Sequence, residues 1–228
     1  MAIKAGFYGA PCYDLINYAA RILTQLDKSV LMLDLSADQS LTCSIPLPEG
    51  YDGSEFDYRD VTFSVKEPPY MGMDYDIVLY YFGDNPGNNH PVDYTFCITT
   101  AELQVIASVA DLMDQIQYDA APAAESANRD FRYMRNFPNV IALGVGVDQR
   151  FSFIAQQLKV PKRELTSINM DENAMLCRLA CQYDNAFRFQ RLSSDFKELL
   201  HRICSTLCEE ELDTKLYRRA FKLAERGR

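Results

Sequence analysis

The chain is short of histidine, of basic charge and of long apolar runs. Only two histidines occur among its 228 residues, His90 in an Asn-Asn-His-Pro loop and His201 on a helical stretch. Neither is paired with a nucleophile, so a Ser-His or Cys-His hydrolytic centre is not indicated, and structural or solvated roles suffice for both. Lysine and arginine total 23 against 32 acids, giving a net charge of -9 and a pI near 4.8. That balance argues against broad binding to nucleic acid, whose phosphates need a basic face, while leaving room for a local basic patch. No apolar stretch approaches transmembrane length, and a strand-like run begins at Ile3, so neither a spanning segment nor a signal peptide is expected. A cytoplasmic location is the expectation.

Cysteine is not scarce, but its count is odd: Cys12, Cys43, Cys97, Cys177, Cys181, Cys204 and Cys208. Reduced thiols are expected. Cys177/Cys181 and Cys204/Cys208 are each spaced i,i+4 on helical pattern, so a four-thiolate metal site is conceivable. Buried cysteine on a helix face explains the spacing as well, and no turn-forming glycines accompany the pairs, so no metal is expected.

What is present is one sizeable core, with 48% hydrophobic residues in a length ordinary for a single α/β domain. Its organising stretch runs from Ile3 to Thr42. Ile3 to Tyr8 is a short apolar run broken by Gly9-Ala10-Pro11. From Asp14, a candidate N-cap, Leu15, Ile16, Tyr18, Ala19, Ile22, Leu23 and Leu26 recur at helical spacing. Ser29 to Leu35 is then a continuous apolar run of strand length. Strand, crossover helix and strand in about 35 residues make a βαβ unit, and with it a buried parallel sheet.

Asn17-Tyr18-Ala19 in that helix, followed by Val30-Leu31-Met32-Leu33-Asp34-Leu35-Ser36-Ala37-Asp38-Gln39-Ser40-Leu41-Thr42, resembles the opening of the ParA/MinD family of P-loop ATPases, which reads "NLA" and then "VLLIDLDPQGSLT". Tyr75 to Phe82 resembles the family's Walker B segment "YDYIIIDTPPG", with Asp76 on the early Asp. Val92 to Ile116, a strand, Thr100-Ala101-Glu102 and a helix, resembles "ADEVLVVTTPELLSLRDALRLLELL". Leu143 to Asp148 resembles "LGVIPYD" without its proline. The resemblance covers roughly residues 3 to 148, with weaker support to about 208. It implies a mostly parallel central sheet with helices on both faces, a P-loop-NTPase-like, Rossmann-like three-layer α/β fold over residues 1–208.

The phosphate loop departs from that resemblance. A P-loop uses glycines to wrap phosphates with backbone N–H groups, a Lys for their charge and a Ser/Thr hydroxyl for magnesium. The corresponding turn here, Gly9-Ala10-Pro11-Cys12-Tyr13-Asp14, has no Lys or Thr; Pro11 removes a donor and Asp14 adds negative charge. The segment is also about three residues shorter than the family pattern. The second Asp of "DLD" falls on Ser36, and the late Walker B Asp on Tyr81. Gly9, Ala10, Pro11, Cys12, Tyr13, Asp14, Asp34, Ser36, Asp38 and Tyr81 therefore form the expected position of a degenerate nucleotide site, with Asp34 and Asp38 as inherited strand-end residues. No cofactor is expected; ATP and magnesium belong to the alternative, an active ATPase with a divergent loop.

The rest of the chain reads as cover. Pro46 to Tyr58 is loop-like, Val61 to Val65 is a candidate strand, and Pro68-Pro69 and Gly72 follow it. Asp119 to Ala127 reads as a linker, Phe131 to Phe137 as a candidate strand and Asn139 to Val147 as a strand. Phe151 to Leu158 and Asn173 to Cys208 read as helical, with Leu176, Leu179, Ala180, Tyr183, Phe187, Phe196, Leu199, Leu200, Ile203 and Leu207 expected to cover the sheet.

The resemblance and the degenerate loop together imply a catalytically inactive ParA/MinD-like protein acting as a scaffold or positioning factor, most similar in kind to TadZ/CpaE-like proteins of pilus and secretion systems. An active ATPase and a DNA-partitioning protein are the other classes, disfavoured by the missing Lys and the acidic balance. Active members of the family dimerise around ATP, so a homodimer is expected through the former nucleotide face, with Pro11, Tyr13, Tyr80, Tyr81 and Phe82 as its apolar surface; the same aromatics filling the site within one chain is the other reading. Residues 209–228 form a basic amphipathic helix. Leu212, Leu216, Ala220, Leu223 and Ala224 make its stripe with Phe221 beside it, and Lys215, Arg218, Arg219, Lys222 and Arg226 cover much of the remainder. Such a helix suits either an anionic membrane, at about 1 kcal/mol per basic residue, or docking on the domain or a partner with its basic side solvated.

Overall fold

The computed structural model describes residues 2–67, 74–85, 90–116, 139–144, 148–162, 165–184, 186 and 188–226. The expectations for Pro68-Pro69 and Gly72, for the linker at 119–127, for the strand at 131–137, for the strand end at 145–147 and for Phe187 lie outside the described residues.

The strand-turn-helix-strand unit at the N-terminus forms as its periodicity requires: β1 is Ile3–Gly9, α1 Tyr13–Thr24 and β2 Val30–Asp34. Asp14 lies in the first turn of α1, and the N-cap is Cys12, which makes no side-chain capping bond. A short hairpin follows, β3 at Phe56–Tyr58 and β4 at Val61–Ser64, whose β3 is a strand inside the stretch expected to be loop. Its two-residue turn, Arg59-Asp60, is left-handed at both positions (φ 51° and 66°), as the twist of such hairpins demands. Arg21 of α1 pins the turn by bonding the Arg59 carbonyl and the Asp60 carboxylate.

Next come β5 (Ile77–Gly83), β6 (Tyr94–Thr100), α2 (Leu103–Gln115), β7 (Asn139–Leu143), α3 (Asp148–Gln157) and β8 (Leu165–Ile168). The region read as one helical stretch from Asn173 is two helices, α4 (Glu172–Asp184) and α5 (Ser194–Cys208), separated by a 3₁₀ turn at Phe189–Arg191. The break is chemical: the Ser193 side chain accepts the Phe196 N–H and starts α5 afresh. The last helix, α6, is Thr214–Arg226.

Among the described residues eight strands order as β3-β4-β2-β5-β1-β6-β7-β8, parallel throughout except for the β3–β4 hairpin. Strand alternation sorts side chains into two cores. Phe7, Met32, Leu79 and Tyr81 face α1, α4, α5 and α6, while Tyr8, Leu33, Tyr80 and Phe82 face α2 and α3. The result is the expected three-layer α/β arrangement, with paired aromatics in both layers: Phe7 stacks on Phe96 at 4.7 Å and Tyr8 on Phe82 at 4.6 Å.

Helix α6 belongs to the α1-side core, burying Tyr217, Ala220 and Ala224 against α1 and the 3₁₀ turn, with Leu212 just before it. Of the expected stripe, Leu216 and Leu223 instead face solvent beside the basic residues, because Tyr217 takes the inward position and bonds the Lys197 carbonyl. Among the described residues no helix is long and apolar enough to cross a membrane.

Candidate functional site

Because β1, β2 and β5 run parallel, Gly9, Asp34 and Tyr81 reach the same edge of the sheet, the carboxyl edge at which open α/β sheets place ligands. Gly9 makes the turn into α1 with φ +92°, and a Cβ there would lie 2.2 Å from the Ile98 carbonyl oxygen, so glycine is obligatory. The loop that follows spends its backbone internally. The Ala10 N–H donates to Ile98 O at 2.9 Å, and Pro11 has no N–H to offer a phosphate.

Asp14 occupies the first turn of α1, where the helix dipole favours an anion. It is buried, and Arg178 of α4 grips it with two nitrogens: Nη2 donates to both carboxylate oxygens at 3.1 Å and Nε to Oδ2 at 3.3 Å. The same guanidinium lies 5.2 Å from the centroid of the Tyr13 ring. The carboxylate in this first turn thus carries its own counter-cation. Cys12 beside it is buried, and burial pushes its thiol well up, with Asp14 adding to the shift and Arg178 opposing it.

A second network closes the adjoining loop. Asp34 is buried at the end of β2, its Oδ1 accepting from the Ser36 N–H (3.2 Å) and hydroxyl (2.5 Å) and its Oδ2 from the Thr42 N–H (3.1 Å). Burial raises the Asp34 carboxyl above its ordinary value, and the Ser36 and Thr42 bonds hold that rise back. Ser36 in turn accepts the Ser40 N–H. The Ser40 hydroxyl reaches the Tyr81 hydroxyl at 3.5 Å, in the place where the resemblance puts a metal-organising carboxylate. Asp38 is exposed and accepts the Ser40 N–H at 3.3 Å. Asp34 therefore organises the loop from Ser36 to Thr42.

The dimer face expected from the sequence does not exist as drawn. Tyr80, Tyr81 and Phe82 are all buried, and Tyr80 and Phe82 point to the α2 side of the sheet, away from the loop altogether. Tyr81 fills the site from within, and of the five residues only Pro11 is exposed, with Tyr13 half-buried. Asp76 sits at the opposite end of β5, where it accepts the Ser29 N–H at 2.8 Å and ties β2 to β5. His90 pairs with Glu67 at 2.7 Å and lies against Tyr80 and Phe82, while the His201 ring sits tilted against that of Tyr217, 4.4 Å between centroids. Cys177 bonds the Arg188 carbonyl and Cys204 faces the Ala19 carbonyl; among the described residues no group of three or more metal-ligating side chains converges.

Arg178 is the site residue that sequence reasoning missed. It is the only basic residue of α4, set among apolar neighbours, and that isolation was the one available signal.

Comparison with solved structures identifies this architecture. A plasmid partition protein of Borrelia burgdorferi bound to AMPPNP superposes with a TM-score of 0.57 at 13% identity, covering 92% of this chain and 99% of that one. MinD in a complex with MinC, cell division proteins of Aquifex aeolicus, gives a TM-score of 0.50 at 13% identity, covering 99% of this chain and 95% of that one. The chain thus has the ParA/MinD-type, P-loop-NTPase-like α/β fold. No family model matches the sequence, and no curated protein matches it either.

Proposed function

We propose that this chain is a pseudo-ATPase of the ParA/MinD fold, a scaffold or positioning factor that works through its surfaces, with a pilus or secretion assembly of the TadZ/CpaE kind as its setting. The observation that carries the reading is the Asp14–Arg178 pair. It places a fixed carboxylate in the first turn of α1, where an ATPase of this fold would seat phosphate, and satisfies it with a cation from α4. The loop offers no lysine, and Tyr81 stands where a metal-organising carboxylate would be. Of the structural neighbours, one was solved bound to AMPPNP and the other is a MinD in complex with MinC, and the second is the precedent for a protein of this fold that engages a protein partner.

The second reading is a divergent ATPase in which Arg178 turns from Asp14 to a phosphate, favoured by the presence of any cation at this helix terminus. Phosphate release from ATP and magnesium, followed for hours with micromolar protein, separates the two. The scaffold reading expects no release above the protein-free rate. Sustained turnover that disappears in Arg178→Met would establish the second reading instead.

A further inference from the structure

Helix α6 turns a row of basic charge outward in a chain whose net charge is -9. Lys215, Arg219, Lys222 and Arg226 fall at i, i+4, i+7 and i+11, a single straight row on the face opposite Tyr217, Ala220 and Ala224, and all four are exposed. The row is about 17 Å long. Arg218 flanks it on one side, and Leu216 and Leu223, 49% and 39% exposed, on the other. Among the described residues none of these five cations is held in an ion pair, and with Leu223 they line one open groove. The arrangement opposes the helix that carries it. Like charges at i,i+4 repel, and Lys215/Arg219, Arg218/Lys222 and Lys222/Arg226 are all such pairs. A face meant only for water intersperses the two signs, yet of 32 acids in the chain only Glu225 lies within this helix.

The inner face of α6 decides which anion suits the row. A helix that lies in a membrane interface sinks its apolar side among the lipids. Here that side is spent on the domain: Tyr217, Ala220 and Ala224 are buried, Phe221 sits 5.3 Å from the Phe189 ring, and the Tyr217 hydroxyl donates to the Lys197 carbonyl. Only the two flanking leucines remain free. An extended polyanion or a charged plane would also press its charge against the acidic remainder of the chain, whereas screening over about 8 Å spares an anion no larger than the row itself.

We propose that the outer face of α6 docks an acidic helical segment of a partner protein, about three turns long, with carboxylates at the same i, i+4, i+7 and i+11 spacing and leucines beside them. The intervals are symmetric, so an antiparallel partner offers one carboxylate to each cation and brings its flanking leucines to the side of Leu216 and Leu223. The aliphatic stems of the lysines and arginines widen the apolar contact. Such docking rests on the scaffold reading, for which it names the chemistry of the partner, and it needs no nucleotide.

The probe is a fluorescein-labelled, alanine-rich peptide of about 18 residues, long enough to hold helix, with glutamates at the four positions and a leucine after the first and third. Its anisotropy is followed as full-length protein is added in about 0.15 M salt. Saturable binding is expected, at least about tenfold tighter than to a permuted peptide of the same composition, and equal with and without ATP and magnesium. Arg219→Glu combined with Lys222→Glu is expected to abolish binding while melting no lower than the wild type, because it relieves the repulsion along the row. The same variant is expected to bind a peptide whose two central glutamates are lysines, which a merely structural role would not produce. Absence of saturation with the wild type, or equal binding of the permuted peptide, overturns the proposal. So does tighter binding to duplex DNA, or to vesicles of anionic lipid, that the double variant loses. None of these results bears on ATP turnover, and turnover alongside intact peptide binding would remove the scaffold reading alone.

Discussion

Asp14 and Arg178, 164 residues apart in sequence, meet in a two-pronged ion pair at the N-terminus of α1, the carboxylate almost completely enclosed and the guanidinium largely so. A buried carboxylate left without its cation is costly. Arg178→Met is therefore expected to destabilise the protein by about 3 kcal/mol, whereas Asp14→Leu combined with Arg178→Met is expected to cost clearly less than the sum of the single changes. Urea denaturation of the four proteins of this cycle gives the coupling directly. Additive losses would mean the pair contributes only packing.

Gly9 separates two sources of cost. Gly9→Ala meets both a positive φ and the Ile98 carbonyl 2.2 Å from the new Cβ, and is expected to lose at least about 2 kcal/mol. Gly50 has φ +73° with nothing within 4 Å of the added atom, so Gly50→Ala is expected to lose about 1 kcal/mol, the conformational part alone. Thermal or urea unfolding of the two variants checks the difference; equal losses would remove the clash from the account.

Asp34 gives stability a pH signature. Burial lifts its folded-state pKa above the ordinary 3.8, so through that window the folded chain holds a proton that the unfolded chain has released. Stability from this residue is thus full below the ordinary carboxylate value and declines as pH rises toward the folded one. Asp34→Asn abolishes the decline, at a separate cost of about 1–3 kcal/mol for the acceptor it withdraws from Ser36 or Thr42. The stability of the wild type minus that of the variant, from urea midpoints in steps from acid to neutral pH, is expected to fall as pH rises. A difference that grows with pH would mean the hydrogen bonds outweigh the burial.

The thiols should divide by exposure. Cys43 is the exposed one, while burial pushes Cys208 to about 11 and Cys181 to about 12 and drives Cys12 and Cys204 further. An aromatic disulfide reagent at mildly alkaline pH is expected to titrate one thiol rapidly in the native protein and all seven in denaturant. Rapid reaction of Cys177 or Cys181 would show α4 opening from the core.

Much of the architecture was legible because it is local. The apolar runs of β1, β2, β5 and β6 and the stripe of α1 carry their periods in single stretches, and the absence of lysine from Gly9 to Asp14 is visible by inspection. β8 escaped notice because Leu165–Ile168 is four residues with two of them half-buried, leaving no run to see. Of the α4 residues expected to cover the sheet Ala180 is buried, but Leu176, Leu179 and Tyr183 are exposed, because large apolar residues outrank alanines and cysteines in any periodicity although here the small ones face the core. The partner of Asp14 could not be read at all, since nothing within one helix states what a residue 164 positions away will meet. The residues expected to make a dimer face do not share one, because strand alternation sends Tyr80 and Phe82 to the far side of the sheet from Tyr81.

Whether the first turn of α1 accepts a triphosphate decides between a scaffold and an ATPase. Calorimetric titration of the full chain with ATP and magnesium, repeated with Asp14→Asn, addresses it most directly. No saturable heat is expected with the wild type up to about 1 mM nucleotide, the top of the ordinary range for a functional site. Micromolar binding by the wild type, weakened when Arg178 is replaced by methionine, would contradict it.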